Sequence, residues 1–409
     1  MYEILKGMRV VEGASFIAAP SCCLHLLQLG AEVIRFDMIG GGPDFHRWPL
    51  APGGSSFYWE GLNKGKKSVA IDLSRPEGRE LAVAIATAPG EQGGLFVTNN
   101  PAEGFLSHDR LKARRADMIT LRVMGWADGR TAVDYTVNAV AGLPLITGPA
   151  DLVPGEPVNH VLPAWDLLTG AYAAFSLLAA ERRRRETGQG AEIRIPLSDV
   201  AAATLGNLGQ IAETISSGQD RPRMGNDLFG AFGRDFTTAD GHRIIIVAIT
   251  VRQWSGLVAA LGIGDEVAAI ESELGTNFAE EGERFNHRAR LFPVVQSAVG
   301  RRRLADLASL FDSNGVCWSV YRTLSEAVTE APGFVRTNPI FSPVPHGDGQ
   351  SYPTPGAAAS FVGARRAEAR PAPRLGQHTD EILAEVLSLS SAEIGRLHDA
   401  GLVEGPGKA

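Results

Sequence analysis

The chain is poor in sulfur and lacks most of the short motifs that announce a catalytic class. Only three cysteines, Cys22, Cys23 and Cys317, occur in its 409 residues. None forms a CxxC pair, which argues against a zinc ribbon or a dithiol redox site and predicts reduced thiols. The nine histidines are scattered and form neither an HxxxH spacing nor a Cys/His cluster, so no metal site is expected. GxSxG is absent, which speaks against a nucleophile-elbow serine hydrolase. GxxxxGK[ST] and GxGxxG are absent as well, which removes the usual sequence signals of a nucleotide-phosphate loop. No apolar run reaches the roughly 18 residues of a membrane span. The opening Met1-Tyr2-Glu3-Ile4-Leu5-Lys6 lacks the layout of a signal peptide, so the reading is a cytoplasmic protein with no membrane partner. Positive charge is also short: 39 Lys and Arg against 46 Asp and Glu give a net charge of -7. A nucleic-acid partner, which needs a basic face, is therefore not expected.

What is present is apolar and periodic. Hydrophobic residues make up 44% of a chain too long for one ordinary core, so two domains are the expectation. Met8–Glu12 reads as a strand, 20–29 as a helix opening at Pro20, and Ala31–Phe36 as a second strand. This β-α-β order predicts a parallel, doubly wound sheet. Further strands are expected at 68–72, 95–98, 118–123 and 191–197, with helices at 76–87 and 164–186. After about residue 220 the pattern changes to that of a smaller α+β domain. Phe236–Asp240 and Arg243–Ile249 form a hairpin with a two-residue Asp-Gly turn, and short amphipathic helices follow. Residues 343–374, rich in Pro, Gly and Ala, read as a surface connection, and two helices close the chain. The expected boundaries are 1–220 and 336–409 for the large domain and 221–335 for the small one.

Several residues carry candidate chemistry, and each has a plainer alternative. Asp166 opens the long helix, where the helix dipole favours an ionised carboxylate, as a nucleophile requires; Asp is equally a common N-cap. Arg182–Arg185 at the other end of that helix can reach phosphates or simply neutralise the C-terminal dipole. Lys64, Lys66 and Lys67 sit on a loop before a strand and are candidates for a phosphate contact. Gly40-Gly41-Gly42 follows a strand but opens no helix, which weakens a phosphate-cradle reading.

The residues together resemble the family III CoA transferases. The resemblance runs through Leu5–Glu12, Ala18-Ala19-Pro20 and Leu29–Ile34. It continues through Asn63–Asp72, Asp166 with Gly170 and Thr187–Gly190, and Leu375-Gly376-Gln377-His378-Thr379. Within the family, Gly61–Lys66, Val133–Asn138, Asn159–Asp166 and Gly230–Phe236 are similar to the subgroup that moves CoA between the C1 and C4 carboxylates of mesaconate. The resemblance implies an α/β fold: a large CoA-binding domain with a doubly wound parallel sheet, a smaller α+β domain, and an interlocked ring-like homodimer. It implies Asp166 as the nucleophile, with an acyl-CoA and a dicarboxylate as substrates, coenzyme A entering with the thioester and no permanent cofactor. Phe16, Ile17, Ala18, Lys66, Ile71, Asn99 and Asn100 are the expected CoA neighbours, and Arg47 and Arg234 the candidates for the second carboxylate. An intermolecular CoA transferase acting on a C4 or C5 dicarboxylate is the alternative. The family's racemases keep a histidine where this chain has Val133, which disfavours α-proton exchange.

Overall fold

The computed structural model describes residues 1–347 and 349–406. Asp348 and the last three residues, which fall in the segment expected to return to the large domain, lie outside the described residues. The strands are β1 (Arg9–Gly13), β2 (Glu32–Met38), β3 (Lys67–Ile71), β4 (Leu95–Thr98), β5 (Ile119–Met124) and β6 (Ala191–Pro196). There follow β7 (Phe232–Thr237), β8 (Arg243–Ala248), β9 (Cys317–Val320), β10 (Phe341–Pro345), β11 (Ser351–Pro355) and β12 (Val403–Glu404). The chain divides into two compact units, one made of 1–141, 161–213 and 332–409, the other of 142–160 and 214–331. The second unit thus takes in 142–160, a piece that the sequence placed with the large domain.

The first unit holds a seven-stranded sheet in the order β12-β3-β2-β1-β4-β5-β6. Strands β1 to β6 pair in parallel, and β12 joins the β3 edge antiparallel, with Val403 opposite Ile71. Strands buried on both faces need continuous apolar runs. Val10, Val11, Val33, Ile34, Val69, Ile71, Phe96 and Leu121 supply them, all buried. The chain winds outward from β1 to β3, then returns to start the other half at β4. The crevice at the β1–β4 reversal is where such sheets bind ligands.

The long helix Ala164–Thr187 packs on the helix Ala18–Gln28 that follows β1. Gly170 permits the approach: a Cβ there would lie 2.0 Å from the Ser21 hydroxyl and 2.8 Å from the Ala18 carbonyl oxygen. The helix after β1 begins at Ala18, two residues ahead of the expected start. Proline lacks only an N–H that the first turn leaves unpaired in any case, so Pro20 is accommodated inside that turn.

The second unit has the three-stranded antiparallel sheet β7-β8-β9. On β8, Ile244, Ile246 and Ala248 face a core with Phe232, Phe236, Trp254 and Phe292. The β7–β8 connection differs from the expected two-residue turn. Thr238 N donates to His242 O, so the loop is Ala239-Asp240-Gly241, with Gly241 at φ +82°. Three-residue loops place a left-handed residue in this last position, and glycine takes it without steric cost. No helix among the described residues is long and apolar enough to cross a membrane.

Candidate active site

A cavity of about 700 Å³ opens at the β1–β4 reversal. The turn after β1 (Ser15–Ala18), the loop after β4 (Asn99–Glu103), the end of β5, Val133–Tyr135 and Asp166 line it. Two asparagines build its floor. Asn99 pairs with the Ser15 backbone through both ends of its amide, at 3.1 Å from Ser15 N and 2.9 Å from Ser15 O. Asn100 donates to Gly13 O at 3.0 Å. Arg122 on β5 holds the same loop from below by donating to the Asn100 and Pro101 carbonyls. With Ser15 fixed and the helix starting at Ala18, Phe16 is left in the left-handed region at φ +70°. A bulky residue with this backbone is strained, and strain of this kind gathers at functional sites.

Asp166 is the third residue of the long helix and half-buried. Its side chain is not the helix cap. The N-cap is Pro163, without a side-chain acceptor. The cap comes from another helix: the Asp134 carboxylate accepts the backbone N–H of Trp165 at 2.7 Å and of Asp166 at 3.1 Å. Those donors are therefore occupied and do not point at a reacting oxyanion. Burial, then the Asp134 charge, raise the Asp166 pKa to about 6, and Arg47 opposes them. At neutral pH the carboxylate is still ionised, but more basic than an ordinary aspartate.

Arg47 lines the same cavity. Its guanidinium lies 4.9 Å from the ring centre of Tyr58 and 5.5 Å from that of Phe16. Its Nε is buried without a hydrogen-bond partner, and among the described residues no carboxylate reaches it within ion-pair distance. Stacked between two rings and unpaired, it is preorganised to receive a planar anion in two-point fashion. Val133 also lines the cavity, and no histidine does.

The structure brings together Phe16, Ile17, Ala18, Asn99, Asn100, Arg47 and Asp166. It separates Lys66 and Ile71 from them. Ile71 is wholly buried in the sheet, between β2 and β12. The Lys66 ammonium is buried on Glu12 (2.7 Å), Pro20 O (3.1 Å) and Asn63 (3.0 Å), since a charge this deep must be paired. Its neighbours are engaged too: Lys64 donates to Gly61 O, and Lys67 pairs with Glu32 and Glu381. The lysine loop is thus structural. Arg234 belongs to the second unit, where it pairs with Asp227 at 3.4 Å and stacks on Phe292. Of the four-arginine run, Arg184 turns inward onto the Gly93 carbonyl, and Arg182 and Arg185 pair with glutamates of their own helix. Tyr58, Arg122 and Asp134 are cavity residues that sequence reasoning missed. Asp134 lies in the Val133–Asn138 string, but no local pattern tells that it caps a helix more than thirty residues later.

A larger hollow, about 1070 Å³, lies at the opposite end of the sheet, by the starts of β2 and β3. Lys67 there bridges Glu32 and Glu381, and Lys6, Arg365 and Arg370 also line it, while the β1–β4 reversal and Asp166 lie elsewhere.

Comparison with known proteins gives the family and the fold. The model of CoA-transferase family III matches residues 5–379. The chain is 50% identical, over the full length of both, to the 2-methylfumaryl-CoA isomerase of Chloroflexus aurantiacus. It is 27% identical to the human succinyl-CoA:glutarate CoA-transferase, over 98% of this chain and 90% of the relative. A CAIB/BAIF family protein from Brucella suis superposes with a TM-score of 0.76 at 25% identity, covering 94% of this chain and all of the other.

Proposed function

For this chain, which belongs to CoA-transferase family III, we propose the transfer of CoA between the C1 and C4 carboxylates of mesaconate, the isomerization of 2-methylfumaryl-CoA, carried on Asp166. The observation that carries the reading is one cavity holding a basic carboxylate and an unpaired arginine. The first serves the reacting thioester and the second the distal carboxylate. The identity to an isomerase over the whole chain supports the same choice.

The chemistry needs no proton transfer. An Asp166 carboxylate oxygen attacks the C1 thioester carbon; the C–S bond breaks and CoA leaves as thiolate, giving a mixed anhydride. The thiolate then attacks the Asp166 carboxyl carbon. The anhydride C–O bond breaks, releasing mesaconate as a carboxylate and leaving an aspartyl-CoA thioester. Mesaconate turns its C4 carboxylate to that thioester, thiolate leaves again, and its attack on C4 regenerates the Asp166 anion. Every nucleophile and leaving group is an anion, so a cavity without histidine suffices and Asp166 must be ionised to begin. Arg47 holds whichever carboxylate is not reacting. Phe16, Ile17, Ala18, Asn99 and Asn100 flank CoA. We also place the enzyme in the cytoplasm as an interlocked homodimer. The exposed side chains of Val161, Phe175 and Leu208 are apolar surface for a second copy to cover.

The second reading is an intermolecular transferase that hands CoA from an acyl-CoA to a free C4 or C5 dicarboxylate, and the relative named for succinyl-CoA and glutarate favours it. A racemase is disfavoured, because Val133 offers no acid or base. The purified protein incubated with mesaconyl-C1-CoA alone separates these readings. The C4 thioester forms without added acid if transfer is intramolecular. Turnover only after a free dicarboxylate is supplied replaces the isomerase with the intermolecular enzyme.

A further inference from the structure

We infer that Asp134 is a positioning residue for the nucleophile. From a different helix it occupies the open end of the Asp166 helix, fixing where Asp166 points and denying its carboxylate the donors that would quiet it. The inference rests on the reading of Asp166 as the nucleophile.

A helix leaves its first N–H groups unpaired, and normally the residue at its own start takes them. Pro163 stands at that place and has no acceptor side chain. Asp134, 2% exposed, fills the role, accepting the N–H of Asp166 itself. The helix Asp134–Val140 makes two more contacts to the same end. Asn138 accepts the Trp165 indole N–H at 3.2 Å, and the Tyr135 hydroxyl donates to Val161 O at 3.3 Å. Asp134 thus holds the first-turn amides of the other helix, while Tyr135 and Asn138 hold the segment leading into it and the Trp165 ring, a support that a nucleophile held to sub-ångström tolerance requires.

The charge of this cap matters as well as its shape. A carboxylate in a helix's first turn is ordinarily stabilised by the amides and the dipole. Here another anion has taken those amides, and its charge acts against ionised Asp166. Acylation removes the charge on Asp166, so the repulsion is relieved as the covalent adduct forms. The charges that act on Asp166 are Asp134 and Arg47; Tyr58, Glu103, Arg122, Arg130 and Tyr135 are the other titratable groups lining the cavity.

The test compares Asp134→Asn with Asn138→Leu. Asparagine keeps an acceptor oxygen for both N–H groups and removes only the charge. The readout is the pH profile of kcat/KM with mesaconyl-C1-CoA, or with succinyl-CoA plus mesaconate if an acceptor is needed. For D134N the acid limb moves down by about one pH unit, and kcat falls roughly tenfold. N138L lowers the melting temperature and leaves the limb in place. A readout independent of turnover is the stability difference between the wild type and Asp166→Asn across pH, whose midpoint follows the Asp166 pKa and drops in the D134N background. An unmoved limb and midpoint in D134N overturn the inference and leave Asp134 a plain cap. An Asp166→Asn variant that still turns over overturns the nucleophile reading instead, whatever D134N does.

Discussion

Two clusters of charge lie close together around the end of β1, and they are built on opposite principles. One is the buried network of Glu12, Arg35, Asp37, Asp44 and Lys66; the other is the cavity group of Asp134, Asp166 and Arg47. In the first, all five N–H groups of Arg35 find acceptors on Glu12, Asp37, Asp44 and Asn63, and all three of Lys66 do the same. In the second, Arg47 has no acceptor among the described residues, and Asp166 has lost its helix amides to Asp134. A network whose cations are saturated is inert and fixes the loop that carries Arg47. An unsaturated group is ready for a ligand that completes it. Charge alone does not mark a site; what separates these two clusters is whether the arginine in each has its bonds met.

Removing Asp166 breaks the comparison on the reactive side. Asp166→Ala lowers transfer by on the order of 10⁴-fold or more, with an unchanged circular dichroism spectrum, because the covalent route is gone. Lys66→Met breaks the inert side. It leaves Glu12 short of a partner in the core and costs about 3–5 kcal/mol in urea unfolding, while the folded fraction keeps its KM. Arg47→Met is the reverse. Stability changes little, and KM for the dicarboxylic thioester rises about 10- to 100-fold, as a charge-assisted pair lost from a cavity predicts.

The smallest effect has a sign that sharpens the contrast. The folded-state pKa of Asp166, about 6, lies above the ordinary aspartate value of 3.8. The ionised side chain therefore destabilises the native state above pH 6, and the cost disappears below about pH 4. Asp166→Asn should raise stability at pH 7–8 by about 1–2 kcal/mol, after discounting for partial exposure, and by nothing near pH 3.5. The same titration makes kcat/KM of the wild type fall as pH drops through 6.

Much of the fold could be read from the chain. The opening strand, helix and strand, the long helix from Ala164 and the change of texture near residue 220 follow from periodicity, because each buries a local apolar pattern. The edge strand Val403–Glu404 could not be read, since two residues carry no period and pair with β3 only after the chain returns. At the candidate site, Asp166 could be singled out by its own type and its place at a helix start, and it does line the cavity. The rest was not legible where partners decide: Lys66 looked like a ligand contact until Glu12 claimed it, and Arg47 and Arg234 looked alike until Asp227 paired with only one.

The β3 edge has a consequence for how the molecule is assembled in time. Ser68 and Ala70 bond to Gly376, His378 and Thr379, more than three hundred residues downstream, and Ile71 waits for Val403. Most of the second unit, 214–331, is contiguous and can close its core as soon as it is made. The first unit cannot: until the final stretch of chain emerges, its sheet ends in an open strand with unmet amides. Long-range pairing is slow, and an open edge invites foreign strands. Synthesis and refolding therefore have a vulnerable interval set by the length of chain inserted between β3 and its last partner.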